Sequence, residues 1–212
     1  MLWRTFKIRV LILVVVLSWQ PAGAVDNSKT LLVLGDSLSA GYGVELQDTW
    51  VSLLQNRLTK QGYGYRVINA SISGDTTGGG LRRLPRALKK HEPAIVLIEL
   101  GGNDGLRGTP IATMRSNLAE MIEMAQAGGA QVILAGMQMP PNYGKAYTQE
   151  FADAYPELAD EYQVALIEFF LKNVALDPAM MQPDLIHPST KAQPLLLENV
   201  WDTLYPDVIG SG

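Results

Sequence analysis

The chain has 212 residues, of which 47% are hydrophobic and 18% are charged. This composition is that of a folded globular protein and excludes the disordered and fibrous classes, and the length suits one domain with its own core. The absence of cysteine excludes disulfides, thiolate catalysis, zinc–thiolate sites and a lipid anchor on cysteine.

The N-terminal segment has the three-part pattern of a secretory signal peptide. Basic residues precede an apolar run over 10–17, and small residues at 22–24 occupy the positions that a signal peptidase recognises. The run is shorter than the ~20 apolar residues that cross a bilayer, which disfavours the alternative of an uncleaved anchor. We therefore expect a signal peptide at 1–24, a mature domain at 25–212, and a periplasmic or secreted protein if the source is bacterial.

Removal of this leader changes the charge of the protein. It takes three of the 17 basic residues and none of the 21 acidic ones, so the net charge goes from −4 to −7. Because an acidic protein repels phosphate backbones, we expect no nucleic-acid partner. No later stretch is long and apolar enough to span a bilayer, so we expect no stable membrane insertion after cleavage.

After the leader, short apolar runs alternate with segments of helical spacing. The runs predict five strands, at 31–34, 65–70, 94–100, 131–135 and 164–167. The helical spacing predicts helices at 48–60, 81–90 (basic on its outer face), 111–127, 147–162 (kinked or divided at Pro156) and 190–204. Apolar strands separated by helices indicate a parallel sheet covered on both faces, a doubly wound α/β sandwich. Ligands bind such sheets beyond the carboxyl ends of the strands, where Ser37, Gly74 and Asn103 follow the first three strands.

The chain contains two histidines. His91 lies in a polar helix end, where a solvated, charge-complementing role is expected. His187 is the candidate general base, because Asp184 three residues earlier can hold its Nδ1 atom while Pro188 favours an extended backbone. Alone, this short motif also fits a helix-capping aspartate and a surface histidine.

The candidate nucleophile is Ser37, in the string Gly-Asp-Ser-Leu-Ser directly after the first strand. A tight turn there raises the hydroxyl of Ser37 above the edge of the sheet. The string differs from the Gly-x-Ser-x-Gly elbow of the α/β-hydrolases, because Ser39 replaces the last glycine. A simple helix N-cap is the alternative interpretation.

Acyl transfer also needs hydrogen-bond donors for an oxyanion. The backbone N–H of Gly74 and the side-chain amide of Asn103 can provide them, because glycine permits close approach and an amide donates. Each residue alone is common in turns. Their joint occurrence at the ends of strands that should neighbour Ser37 points to an active site.

The segments around Ser37, Gly74, Asn103 and His187 resemble, in this order, the four blocks of the SGNH (GDSL) hydrolases. The longer strings over 69–76, 99–108 and 141–144 are similar to the bacterial periplasmic thioesterase/lysophospholipase/arylesterase branch of that family, and the likeness extends over roughly 30–204.

The resemblance implies a three-layer α/β/α sandwich whose five parallel strands have the flavodoxin-like order. It implies a catalytic triad of Ser37, His187 and Asp184. It also implies an oxyanion hole made by the N–H groups of Ser37 and Gly74 and the amide of Asn103. Asp36 is expected to order the turn before the nucleophile rather than to act as a base.

The loop over 137–147 resembles the family loop that borders the acyl pocket. Within it, Met139, Pro140 and Tyr143 are the candidate substrate-binding residues, because their apolar character suits an acyl chain. A place in the core is the alternative for this apolar stretch.

The expected activity is two-step acyl transfer to water by a monomer, with no cofactor and no metal. The resemblance implies lysophospholipids, aryl esters or acyl thioesters as substrates, with a carbohydrate O-deacetylase as the alternative enzyme. A non-catalytic periplasmic binding module is a further alternative, although such a protein should have lost Ser37 or His187. A nucleotide-binding protein is disfavoured, because no Gly-x-Gly-x-x-Gly string follows the first strand and the chain has no Gly-Lys-Ser/Thr loop.

Overall fold

The computed structural model describes residues 28–205 and residue 209, so the predicted signal peptide at 1–24 lies outside the described residues. Five parallel strands form one sheet in the order β2-β1-β3-β4-β5. Their bounds are β1 Lys29–Gly35, β2 Tyr65–Asn69, β3 Ile95–Glu99, β4 Gln131–Ala135 and β5 Ala165–Ile167. This is the flavodoxin-like order, so the predicted fold class is confirmed.

Seven α-helices lie within the described part of the chain. They are α1 Ser37–Ala40, α2 Trp50–Lys60, α3 Thr77–His91, α4 Gly102–Leu106, α5 Ile111–Ala127, α6 Lys145–Tyr162 and α7 Gln193–Leu204. Helix α2 packs against α7, and α5 packs against both α3 and α6. Because the crossovers of a parallel sheet are right-handed, α2, which leads from β1 to β2, lies on one face, and α3, α5 and α6, which lead in the opposite direction along the sheet, lie on the other.

The core of the sheet is formed by β1, β3 and β4, in which nearly every side chain is buried, while the edge strand β2 is only half-buried. Helix α2 adds Trp50, Leu54 and Leu58, all fully buried at four-residue intervals. Removing each such side chain from water contributes roughly 1.5–3 kcal/mol to folding. The apolar periodicity of the sequence therefore predicted these layers correctly.

The short helices α1 and α4 were not predicted, and two of the predicted helices differ from expectation. Helix α3 begins at Thr77 rather than at 81 and so includes the glycines at 78–80. The side chain of Thr76 accepts a hydrogen bond from the N–H of Gly79 and caps the first turn. Pro156 lies inside α6 without dividing it. Buried side chains on both sides of this proline, among them Phe151 and Leu158, hold the two halves in the same core.

The reactive end of the sheet lies between β1 and β3, where the connection from β1 and the connection from β3 run in opposite directions along the sheet. Parallel α/β proteins bind ligands at this kind of switch point. Gly35 at the end of β1 pairs with Glu99 at the end of β3. A Cβ atom on Gly35 would lie 2.6 Å from Oε2 of Glu99, so only glycine fits and the chain turns at once into Asp36 and Ser37.

No helix among residues 28–205 and 209 is long and apolar enough to cross a membrane.

Candidate active site

Ser37 is the first residue of α1, directly after the central strand. Oδ1 of Asp36 accepts the N–H of Leu38 at 3.0 Å and caps this short helix. The N–H of Ser37 stands at the first helical position, where no carbonyl within the helix can accept it. It is therefore available to a ligand beside the serine hydroxyl.

The structure brings Ser37, His187 and Asp184 together. Nε2 of His187 lies 2.9 Å from Oγ of Ser37, although 150 residues separate the two in sequence. Nδ1 of the same ring lies 2.7 Å from Oδ2 of Asp184. Both separations are those of hydrogen bonds, so hydroxyl, imidazole and carboxylate form one continuous chain.

Asp184 also orders the backbone of the histidine loop. Its Oδ1 accepts the N–H groups of Ile186 and His187, each at 3.0 Å. The hydrogen bonds from the backbone and ring of His187 and from the backbone of Ile186 lower the pKa of Asp184 to about 2. An ionised carboxylate can only accept, so Nδ1 of His187 carries the proton and Nε2 offers its lone pair to the hydroxyl of Ser37.

The histidine loop is tied to the nucleophile segment by Gln182. Its Nε2 donates to the carbonyl of Tyr42 at 2.7 Å and to the carbonyl of Pro188 at 3.0 Å. Its backbone N–H donates to the carbonyl of His187 at 2.7 Å. The ring of Tyr42 lies against the imidazole of His187, with 4.5 Å between the ring centroids. The segment after Ser37 and the loop of His187 are thus joined through Gln182 and Tyr42.

Gly74 lies in a four-residue turn over 72–75. The N–H of Asp75 donates to the carbonyl of Ile72 at 3.0 Å and closes the turn. Gly74 has a φ of 77°, in the left-handed region that glycine adopts without steric cost. The closing bond uses the N–H of Asp75, which leaves the N–H of Gly74 outside the turn's own bonding.

Asn103 lies in α4 and points its amide at the nucleophile segment. Nδ2 donates to Oδ2 of Asp36 at 2.8 Å. An amide nitrogen carries two hydrogens, so this bond orients the group while one N–H stays free for an oxyanion. Asp36 is buried, and this burial raises its pKa to about 6 against the opposing hydrogen bonds from Leu38 and Asn103.

A second buried carboxylate, Glu99, lies beneath the nucleophile segment. Its Oε2 accepts the hydroxyl of Ser39 at 2.7 Å and the N–H of Asp36 at 3.3 Å. Burial, and next the charge of Asp36, raise the pKa of Glu99 well above its ordinary value. Sequence reasoning overlooked this residue, although a carboxylate at the last position of an otherwise apolar strand is the signal that could have found it.

The three candidate substrate-binding residues have different surroundings. Met139 is buried and packs against Gly105 and Phe151, so it belongs to the core. Pro140 and Tyr143 are exposed. Contact of any of the three with substrate stays a prediction.

Sequence reasoning also overlooked Tyr42, Gln182 and Arg83, which contact the segments of Ser37, His187 and Gly74. Of these three residues, only Arg83 could have been noticed in the sequence, because it lies on the same helical stripe as the buried Gly79, Gly80 and Leu84. The prediction that the basic residues of this helix face outward was therefore wrong for Arg83. Within the described ranges 28–205 and 209, no group of three or more His, Asp or Glu side chains is arranged to hold a metal ion.

The geometry defines a serine acyl hydrolase site at the switch point of a flavodoxin-like sheet. Residues 33–194 match the model of the GDSL-like lipase/acylhydrolase family. The chain belongs to this family, and it is a serine ester hydrolase.

Three curated relatives cover most of the chain. Esterase TesA of Pseudomonas aeruginosa is 54% identical over 194 residues, which are 92% of this chain and 94% of the relative. The arylesterase of Vibrio mimicus is 50% identical, over 84% of this chain and 90% of the relative. The thioesterase 1/protease 1/lysophospholipase L1 of Escherichia coli K12 is 44% identical, over 84% of each chain.

Solved structures agree with the fold. A crystal structure of TesA superposes with a TM-score of 0.82 at 55% identity, over 84% of this chain and 99% of that one. The psychrotrophic esterase EstA from Pseudoalteromonas, inhibited by monoethylphosphonate, superposes with a TM-score of 0.80 at 42% identity, over 84% of this chain and 97% of that one.

Proposed function

We propose that the chain hydrolyses acyl esters and thioesters through a covalent acyl intermediate on Ser37. The observation that carries this proposal is the unbroken hydrogen-bonded chain from Oγ of Ser37 through His187 to Asp184, with contacts of 2.9 and 2.7 Å. A nucleophile, its base and the group that orients the base are thereby in place before substrate arrives.

The reaction then proceeds in two steps. Nε2 of His187 removes the proton of Ser37 while Oγ attacks the acyl carbonyl, and the resulting imidazolium gives its proton to the leaving alcohol or thiol. Water attacks the acyl-serine in the second step, and His187 first takes the proton of that water and then returns it to Ser37. Asp184 stays ionised throughout and stabilises the imidazolium.

The negative charge of each tetrahedral intermediate needs preorganised donors. The N–H of Ser37, the N–H of Gly74 and the free amide hydrogen of Asn103 are the groups we assign to this role. Each stands at the carboxyl end of a different strand among β1, β2 and β3. Loss of one such donor costs roughly 3–4 kcal/mol of transition-state stabilisation in well-studied hydrolases.

Apolar side chains around the site favour an acyl or aryl group over a sugar. Large hydrophobic residues stand exposed in each segment that carries a site residue: Tyr42 after Ser37, Ile72 beside Gly74, Leu106 beside Asn103, and Leu185 and Ile186 before His187. Exposed apolar side chains beside every site residue suit an apolar ligand, because such ligands bind mostly to hydrophobic and aromatic side chains. Together with the names of the relatives, it supports aryl esters, acyl thioesters and lysophospholipids as the substrate classes.

The place of action follows from the leader. A signal peptide at 1–24 directs the mature domain at 25–212 to the periplasm or the exterior, where a monomer would meet esters and lysophospholipids more readily than cytosolic thioesters. Mass spectrometry of the N-terminus of the exported protein tests this cleavage.

The sharpest test of the chemistry is the variant Ser37→Ala, with Ser116→Ala on the exposed surface of α5 as its matched control. The wild type and the control should bind one fluorophosphonate per chain and turn over p-nitrophenyl octanoate, whereas Ser37→Ala should do neither. Labelling of a folded Ser37→Ala sample would reject the proposed nucleophile. A strong preference for p-nitrophenyl acetate over longer acyl chains, or release of acetate from sugar esters alone, would reject the acyl-chain assignment and leave the chemistry intact.

A further inference from the structure

Arg83 of helix α3 contacts three segments that converge on the active site. Its Nε lies 2.6 Å from Oδ2 of Asp75, and its Nη2 donates to the carbonyl of Gly35 at 3.1 Å. Its Nη1 donates to the carbonyl of Ala70. One guanidinium thus bonds to the end of β1, to the residue that follows β2, and to the residue after Gly74.

These contacts lie next to two of the assigned oxyanion donors. Gly35 is separated from Ser37 by Asp36 alone, and Asp75 directly follows Gly74. The two N–H groups belong to loops that leave different strands, so their separation depends on the hydrogen bonds that join the two loops. The carbonyl of Gly35 also accepts the N–H of Ile72 at 3.0 Å, and Arg83 completes this junction.

Arg83 is a planar side chain with five donors in fixed directions, which suits it to hold several acceptors in one geometry. It is about one-fifth exposed and its partner Asp75 is 13% exposed, so water competes weakly for these bonds. The adjacent Arg82, a residue of the same type in the same helix, is exposed.

We propose that Arg83 is a positioning residue that sets the distance between the N–H of Ser37 and the N–H of Gly74 in the oxyanion hole. This inference rests on the proposed acyl transfer at Ser37. Arg83 touches neither substrate nor the reacting atoms. It acts through the backbone of Gly35 and Asp75, and its removal lets the turn over 72–75 shift relative to the nucleophile.

A positioning role predicts a specific kinetic signature. A misplacement of about 1 Å in a catalytic site costs on the order of 100-fold in rate, so Arg83→Ala should lower kcat roughly 10- to 100-fold and change KM less than threefold. A trifluoromethyl ketone with an octyl chain forms a tetrahedral adduct on the serine and therefore needs the oxyanion hole. Its Ki should rise by the same factor as kcat/KM falls, whereas the Ki of octanoate should stay within threefold.

Two further variants separate geometry from charge. Arg83→Lys keeps the positive charge but cannot reach three acceptors at once, so it should lose nearly as much kcat as Arg83→Ala. Arg82→Ala, the neighbouring exposed arginine, should retain wild-type kinetics. The concentration of active sites in each variant is measured by complete reaction with fluorophosphonate, and kcat is calculated from that concentration. A misfolded fraction therefore does not lower the measured kcat.

The outcomes are distinct. Wild-type kcat per titrated site in Arg83→Ala overturns the inference, and so does full activity of Arg83→Lys, which would assign the effect to charge. Equal loss of affinity for the ketone and for octanoate overturns it as well, because a collapsed pocket would then explain both. If Ser37→Ala were active, the proposed function would fail instead, independently of Arg83.

Discussion

The side-chain amide of Asn103 donates to Oδ2 of Asp36 at 2.8 Å. Asp36 directly precedes Ser37 in the chain and caps the helix that begins there. The loop after β3 is therefore bonded to the loop after β1 at the reactive edge of the sheet. One hydrogen of the amide makes this bond, and the other is the one we assign to the oxyanion.

Replacing Asn103 with alanine should remove an oxyanion donor and lower kcat by roughly 10²- to 10³-fold, with little change in KM. Steady-state kinetics on p-nitrophenyl octanoate measure this loss. The control is Asn199→Ala, because Asn199 also donates its amide to two backbone carbonyls, those of Phe170 and Lys172. That variant should lose stability but keep its kcat, and a loss below threefold in Asn103→Ala would remove Asn103 from the oxyanion hole.

The buried carboxyl of Asp36 predicts an unusual dependence of stability on pH. Burial raises its pKa from 3.8 to about 6 in the folded protein, so the folded state holds this proton more tightly than the unfolded state. Its stabilising contribution is complete below about pH 4 and is lost as pH rises through about 6. Asp36→Asn has no such titration. The free energy of unfolding of Asp36→Asn minus that of the wild type should therefore be about 2–3 kcal/mol more positive at pH 7 than at pH 4.

Urea unfolding of both proteins at the two pH values measures this change. Asp36→Asn also alters the hydrogen bonds with Leu38 and Asn103, which adds an offset at both pH values, so only the change with pH is diagnostic. Glu99→Gln should shift with the same sign, because burial likewise raises the pKa of Glu99. A difference that stays constant or moves the other way would show that Asp36 is not buried in solution as it is here.

Asp184 should affect kcat by fixing the tautomer of His187. Asp184→Asn would place an amide N–H₂ or a neutral oxygen opposite Nδ1, so the imidazole could lose the orientation in which Nε2 accepts the proton of Ser37. We expect kcat to fall roughly 10³- to 10⁴-fold. Asp177→Asn is the matched control, because Asp177 lies in the same stretch of chain and only caps the N–H of Ala179 at 2.9 Å. Comparable losses in both variants would mean that loop structure, rather than the histidine tautomer, is being measured.

The residues that we assign to catalysis could be selected from the sequence because each is chemically restrictive. The chain has only two histidines that could act as the base. Only His187 has a nearby aspartate in sequence that can bond to Nδ1 and leave Nε2 for the serine. The apolar runs located the strand ends, so Ser37, Gly74 and Asn103 could be placed at one edge of a sheet. Residue type and periodicity together carried this part of the prediction.

The supporting residues could not be found in the same way. Arg83 and Gln182 are common surface types, and their partners are backbone carbonyls that lie far away in sequence, such as that of Tyr42. Glu99 ends an otherwise apolar strand, and only that position distinguishes it from a surface carboxylate. The low helix propensity of glycine predicted a later start for α3. The cap at Thr76 and the packing of the helix against the sheet outweighed that propensity.

Gln182 provides the last prediction, because its amide joins the segment after Ser37 to the loop of His187. Nε2 donates to the carbonyls of Tyr42 and Pro188, and neither acceptor can be satisfied by a carboxylate. Gln182→Ala should lower kcat about tenfold by loosening the 2.9 Å contact between His187 and Ser37. Gln182→Glu should lose at least as much at neutral pH, since its charge would face two carbonyl oxygens.

The control for this pair is Gln163→Ala, because Gln163 also donates its amide to a backbone carbonyl, that of Asp160 at 2.7 Å, at the end of α6. It should leave kcat unchanged. The order of activity should be wild type, then Gln182→Ala, then Gln182→Glu, with the gap between the two variants narrowing at pH values where the introduced carboxyl is protonated. A Gln182→Glu enzyme as active as wild type would show that the two loops hold their register, and the imidazole its contact with the hydroxyl, without this amide.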